Sequence, residues 1–161
     1  MGLTEEIQFR QASTDDGERV LALKQTAIES TSETYTDEQR EAWRPTREAL
    51  PVFQQAMESD QFVVLIAEAD EPVGYAVLNI DAARVDAVYI HPDAAGEGVG
   101  SSLLRQLENR AQMYGLSELT VVSSKNAISF YEAAGFERVE TRTRTIDGVD
   151  LEFILANKSL H

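Results

Sequence analysis

Val85–Gly100 reads VDAVYIHPDAAGEGVG and runs directly into SSLLRQLENRAQMYG. Val85, Ala87, Val88, Tyr89 and Ile90 make a strand-forming run, whereas Leu103, Leu107 and Ala111 recur at every fourth residue, the spacing of one helix face. A strand therefore gives way to a helix across Ala94-Ala95-Gly96-Glu97-Gly98-Val99-Gly100. Glycines in such a turn let the backbone approach a ligand and let successive N–H groups point the same way. The helix N-terminus behind it adds unsatisfied donors and partial positive charge, so the stretch reads as a site for a diphosphate.

Glycine turns of this kind occur in several unrelated nucleotide-binding folds, and the spacing separates them. A Walker loop needs Lys and then Ser or Thr after its last glycine, and here Ser101 follows Gly100 with no Lys before it. A dinucleotide fingerprint spaces its glycines G-x-G-x-x-G, whereas Gly96, Gly98 and Gly100 alternate. Parity carries a further signal. Val85 does not share a strand face with Val88 and Ile90 unless one extra residue, a β-bulge, lies between Val85 and Val88. If both faces of the strand are covered, the parity carries no such meaning.

Composition sets the outer bounds. A chain of 161 residues without repeats is expected to form one domain over residues 1–161. MGLTEEIQFRQ has no apolar signal core and no stretch approaches a membrane span, so a soluble, cytoplasmic protein is expected. With no cysteine there is no thiol nucleophile, and His91 and His161 offer little for a metal site, so no metal is expected. The net charge of −14, from 28 acidic and 14 basic residues, makes nucleic acid an unsuitable partner. Only Lys24, Lys125 and Lys158 are lysines. That scarcity beside such acidity resembles proteins of a salt-rich, halophilic cytoplasm, although a solvated acidic surface also accounts for it.

In chain order, Ile7 to Arg10 reads as a first strand and Ser13 to Asp16 as the cap of a helix carrying Val20, Leu23, Ala27 and Ile28. Thr36 to Gln39 fits a capping box that opens a short helix through Trp43, ended by Pro45. Thr46 can cap another helix, with Leu50, Phe53, Ala56 and Met57 on its buried side. Phe62 to Glu68 and Val73 to Ile80 form an antiparallel hairpin that feeds the strand of the glycine motif. After Gly115, Leu119 to Val122 is a short strand, parallel by strand–helix–strand logic. Glu137 to Thr145 and Val149 to Leu155 flank Asp147-Gly148 as a closing hairpin.

The glycine motif, with Ile90, Pro92, Gly98 and Gly100, resembles the signature of the GNAT superfamily of acyl-CoA-dependent N-acyltransferases. SSKNAISFYEAAGF, through Ala127, Phe130, Tyr131, Glu132, Gly135 and Phe136, is similar to that family's second signature. The resemblance implies an α+β fold: a mixed, mostly antiparallel sheet of about seven strands with a central splayed parallel pair and helices on both faces. It implies acetyl-CoA as acyl donor, transfer to a primary amine of a small molecule or of a peptide or protein N-terminus, and no resident metal. By the same resemblance Val88, Tyr89 and Ile90 would hold the pantetheine arm. Ala95, Gly96, Glu97, Gly98, Val99, Gly100 and Ser101 would surround the diphosphate, with Ser124, Asn126 and Phe130 beside the arm. Tyr131 would protonate the departing thiolate, and the backbone of Val88 would stabilise the oxyanion.

Asp86 and Glu38 are the candidate bases for the amine. Tyr35 and Trp43 resemble an acceptor-side segment, and acidic residues there would suit a cationic amine. Each residue has a plainer reading too: Tyr131 and Trp43 as core aromatics, Asp86 and Glu38 as solvated carboxylates, Ser124 and Asn126 as helix caps. Two departures stand out, one in each motif: in the second, Ser124 stands where Asn is expected, with Asn126 displaced beside it, and in the first the loop lacks its basic residues. Ala95 occupies the slot of Arg or Gln, and Glu97 the slot of a basic residue. They favour, as the alternative, a non-catalytic acyl-CoA-binding sensor. An interaction domain without ligand would leave both motifs unexplained. Exposed edge strands make a homodimer an expectation.

Overall fold

Alternation along one strand places the core on both faces of a sheet. In the computed structural model, which describes residues 6–160, Val63, Leu65 and Ala67 enter one buried cluster while Val64 and Ile66 enter another. The strands are β1 (Gln8–Gln11), β2 (Phe62–Glu68), β3 (Pro72–Asn79), β4 (Arg84–Ile90), β5 (Glu118–Ser124), β6 (Glu137–Ile146) and β7 (Val149–Ser159). The helices are α1 (Gly17–Glu29), α2 (Asp37–Trp43), α3 (Leu50–Glu58), α4 (Val99–Met113) and α5 (Ile128–Ala133). The sheet order is β1-β2-β3-β4-β5-β7-β6, antiparallel throughout except for β4 beside β5.

Helix α4 buries Leu103, Leu104, Leu107 and Ala111 against the face carrying Val63 and Leu65, and α5 joins it through Ile128 and Tyr131. Burial of each such leucine stabilises by about 1.5–3 kcal/mol. Val20 and Leu23 of α1, with Phe53 and Met57 of α3, cover the opposite face. A third cluster gathers Tyr35, Leu151 and Phe153, with Trp43 and Val122 packed on it. The fold is therefore the expected α+β sheet with helices on both faces.

Local signals explain most boundaries. Thr36 accepts from the Gln39 amide at 3.1 Å and the Gln39 side chain accepts from the Thr36 amide at 3.0 Å, the reciprocal capping box at the start of α2. Asp147 and Gly148 have φ of 51° and 79°, so the β6–β7 turn is of the primed type that matches strand twist. Three expectations need adjustment. Ser13 and Thr46 each open a short 3-10 turn, Thr14–Asp16 and Arg47–Ala49, that leads into α1 and α3 rather than capping those helices directly. The apolar residues of α3 are only half-buried, because the helix lies at the margin of its cluster. Neither Ser124 nor Asn126 caps α5, whose N-cap is Ala127 without a side-chain bond. Among the described residues no helix is long and apolar enough to cross a membrane. His161 lies outside the described residues.

Candidate active site

The site begins with one unpaired residue. Across β3 and β4, Val77 faces Ala87 and Leu78 faces Val85, which leaves Asp86 without a partner: a bulge at the position implied by parity. Val85, Val88 and Ile90 consequently share the α4 face, while Ala87 and Tyr89 pack on the α1 face with Tyr75. Beside β5, only Arg84↔Thr120 and Val85↔Val121 pair before the two strands part. The His91 amide donates to the Val73 carbonyl at 2.8 Å. By the alternation of an antiparallel ladder, Ala87 and Tyr89 also bond towards β3, and the backbone groups of Val88 and Ile90 point away from it into the gap.

The gap is a slot of about 230 Å³ that runs through the sheet. Val88, Ile90, Ala127 and Tyr131 line it from the α4 face, and Lys24, Trp43, Tyr89 and Phe153 from the α1 face. At its α4 side it meets a groove of about 350 Å³ floored by Val88 and Ile90 and rimmed by Ala95, Gly96, Gly98 and Gly100. Gly96 and Gly98 have φ of 82° and 81°, left-handed values, and an added Cβ at either would meet no atom within 4 Å. Glycine is required there by backbone conformation. Gly100 differs: its Cβ would lie 3.2 Å from Cε1 of Phe130, so a larger residue fits between α4 and α5 only if the Phe130 ring gives way. Val99 is buried, Ser101 lines the groove, and Glu97 is exposed and does not line it. The Tyr89 side chain faces the opposite side of the sheet from the groove.

Tyr131 is 4% exposed, set edge-on to Phe130 and Phe136 at ring-centroid distances of 5.0 and 5.5 Å. Burial, with a smaller contribution from Tyr89, pushes its phenol pKa well above that of an ordinary tyrosine, so the hydroxyl keeps its proton. A protonated phenol on a side chain lining the slot, whose wall shares Val88, Ile90 and Ala127 with the groove, is chemically able to donate to a leaving anion there. Ser124 and Asn126 also line the slot.

On the acceptor side the outcome is mixed. Trp43 lines the slot and also packs on Phe153 at 5.5 Å, so the pocket-wall and core readings hold together. Tyr35 does not face the slot. It is 2% exposed, its hydroxyl donates to the Glu152 carbonyl at 2.7 Å and accepts from the Lys125 amide at 3.0 Å, and it ties the α1–α2 connection to β7 and the β5–α5 loop. Glu38 is exposed on α2 and does not line the slot, whereas Asp86 does, paired with Arg84 at 2.5 Å. The expected acidic acceptor wall is absent from the slot: Asp86 is the one acid among its lining residues, beside Lys24 and Arg144. Neither cation was singled out from the sequence. The alternation of Arg142 and Arg144 along a predicted strand was the available signal, since period two puts both on one face.

Residues 31–151 match the family model described as an acetyltransferase (GNAT) domain. Over 135 residues the chain is 30% identical to peptidyl-lysine N-acetyltransferase YjaB of Escherichia coli strain K12, covering 81% of this chain and 82% of that protein. Its namesake from Salmonella typhimurium is 26% identical over 131 residues, 81% of this chain and 83% of that one. Among solved structures, a GCN5-related N-acetyltransferase from Rhodopseudomonas palustris matches with a TM-score of 0.85 and 32% identity over 95% of each chain. PaiA N-acetyltransferase of Thermoplasma acidophilum, solved in complex with coenzyme A, shares the fold at a TM-score of 0.76 and 22% identity, covering 96% of this chain and 99% of that one.

Proposed function

The chain belongs to the GNAT acetyltransferase family, and from that premise we propose that it transfers the acetyl group of acetyl-CoA directly to a primary amine. The observation that carries this reading is the slot itself: a passage between splayed β4 and β5 that joins a glycine-rimmed groove on one face to a separate opening on the other. A long cofactor on one side and an amine on the other would meet at Tyr131. Lysine side chains are among the primary amines in view, because the relatives named above are peptidyl-lysine N-acetyltransferases. Small-molecule amines and peptide N-termini are the other classes.

In this reading the residues that would hold acetyl-CoA are the backbone of Val88 and Ile90 for the arm and the turn from Ala95 through Ser101 for the diphosphate, with Phe130 beside it. The loop has lost its cationic help at Ala95 and Glu97, so helix α4 and its open amides carry the binding. The amine attacks the thioester carbonyl carbon. A C–N bond forms, the carbonyl oxygen becomes an oxyanion stabilised by the Val88 N–H, and the C–S bond then breaks. The Tyr131 hydroxyl protonates the departing thiolate. The proton lost by the amine passes to Asp86 or to water; Glu38, exposed on α2, does not line the slot. Positioning of the two reactants contributes much of the acceleration.

Calorimetry with acetyl-CoA and thiol release with a panel of primary amines test this. Tight binding and amine-dependent thiol release are expected. Binding without release from any amine would instead identify an acyl-CoA-binding sensor, and no binding at all would defeat both readings.

A further inference from the structure

Two cations face the slot with no acid of their own. Lys24 of α1 has its Nζ 5.8 Å from the Tyr89 ring centroid, and Arg144 of β6 has its guanidinium 5.6 Å from that of Phe153; among the described residues neither forms an ion pair. Asp86, the acid that shares the slot, is already held by Arg84. An adjoining cleft of about 530 Å³ continues the pattern, lined by Arg84, Arg142 and Arg144 against Asp86, with Arg142 paired to Glu140 outside the lining. The chain as a whole carries 28 acidic and 14 basic residues. Among the residues lining the slot and this cleft that ratio is inverted, with Lys24 and Arg144 the two cations left without an acid.

Such a cluster costs free energy when empty. Burial and then the charge of Arg144 both push the Lys24 pKa down, with Asp86 opposing. An anion placed between the two side chains would relieve that repulsion, and the planar Arg144 fork suits an oxyanion in particular. We propose that the acceptor is a primary amine whose own molecule carries an oxyanion, a carboxylate or a phosphate, seated between Lys24 and Arg144 while its amino group points towards Tyr131. This rests on the acetyl-transfer reading and narrows its acceptor: an amine with no anionic group leaves both cations unanswered. The net charge of −14 gives no long-range pull on an anionic group, so the contacts with Lys24 and Arg144 at the opening have to hold it.

The chain's single tryptophan, Trp43, lies in the slot wall and reports occupancy without any turnover. The coenzyme A-loaded protein is titrated with succinate and, separately, with inorganic phosphate, while Trp43 emission is followed in the wild type, Lys24→Gln and Arg144→Gln. A saturable change with at least one probe, weakened by about tenfold or more in each variant, is expected from loss of one charge-assisted contact. The tighter probe then tells carboxylate from phosphate. No saturable change with either probe, or equal affinity in the variants, would overturn the proposal. Arg144 is exposed, so its variant keeps the fold. In a second arm, thiol release is compared for amines with a free carboxylate or phosphate and for their methyl esters. A KM lower by about tenfold for the free acids, collapsing in Arg144→Gln, supports the assignment. Equal transfer to free and masked amines overturns this inference alone, whereas no release from any amine overturns it together with the transfer reading.

Discussion

The role proposed for Tyr131 rests on its neighbours. Its ring is packed like any core aromatic, yet its hydroxyl belongs to a side chain that lines the slot, and burial holds the proton in place. Tyr131→Phe keeps the packing and deletes the donor, so single-turnover transfer should slow by about 10²–10⁴-fold while acetyl-CoA affinity by calorimetry is nearly unchanged. The pH profile provides an independent check. A general acid is lost as pH rises through its folded pKa, and here that value is raised, so the rate should hold through pH 10.0, where an ordinary tyrosine ionises. A fall centred there would assign the proton elsewhere. Tyr131, Trp43 and Asp86 could be picked from the sequence because each sits in or beside a motif. Lys24 carries no such mark and Arg144 only its alternation with Arg142; what singles the two out is a missing ion pair across elements more than a hundred residues apart in sequence. Tyr35 failed as a pocket residue for the converse reason: its hydroxyl partners, Glu152 and Lys125, are known only once β7 and the β5–α5 loop are in place.

At the scale of elements, the β4 bulge and the glycine turn do the positioning. The bulge was legible from one apolar residue out of parity, although both faces of β4 prove to be covered, so the pattern pointed to an insertion without requiring it. The hairpin of β6 and β7 and the capping box of α2 were legible for similar reasons, being set by two to four adjacent residues. The 3-10 turns before α1 and α3 were not, since a cap residue looks the same before either kind of turn. The glycines of the turn, read as one device, divide into two. Gly98→Val forces a β-branched residue into a left-handed conformation at the start of α4, and acetyl-CoA binding should be lost while circular dichroism still shows a folded chain. Gly100→Val drives its side chain into Phe130, so thermal unfolding should show a loss of about 1–3 kcal/mol, the usual cost of overpacking. Retained stability in that variant would mean that α5 can shift aside.

A second element-scale prediction concerns the entry to α1. Asp16, 7% exposed, accepts from Arg10 through both carboxylate oxygens at 2.8 Å and from the Ser13 amide at 2.8 Å. The Arg10 hydrogen bonds chiefly hold its pKa below the ordinary carboxylate value of 3.8. A depressed carboxylate stabilises the fold above that ordinary value and ceases to do so as pH falls through the folded pKa. Asp16→Asn should therefore lower stability by about 1–3 kcal/mol at neutral pH, with the gap from wild type closing in strong acid. A gap that is independent of pH would show that the loss is one of packing.

For the molecule as a whole, charge and topology pull on the function in different ways. The net charge of −14 opposes any anionic cofactor, and the turn around Ala95 offers no basic side chain to offset it. Added salt shortens the screening length from about 10 Å near 0.1 M to about 3 Å near 1 M, while short backbone bonds survive. Acetyl-CoA affinity should hold or rise with salt, whereas binding of succinate or phosphate between Lys24 and Arg144 should weaken. A steep loss of acetyl-CoA affinity would point to a cation such as Arg105 holding the diphosphate. The antiparallel run β2-β3-β4, the parallel β5 and the β6–β7 hairpin were readable from the two motifs and the hairpins flanking them, but the place of β7 beside β5 was not, and the through-going shape of the slot depends on where β4 and β5 part, after two paired positions. The measurement that tests the central claim most directly is a product balance: wild-type protein with acetyl-CoA and an amine panel, free thiol and acetylated amine both quantified over time. Direct transfer predicts equal amounts of the two, dependent on the protein and on the amine. Thiol without acetylated amine, or saturated acetyl-CoA binding with neither product, would contradict it.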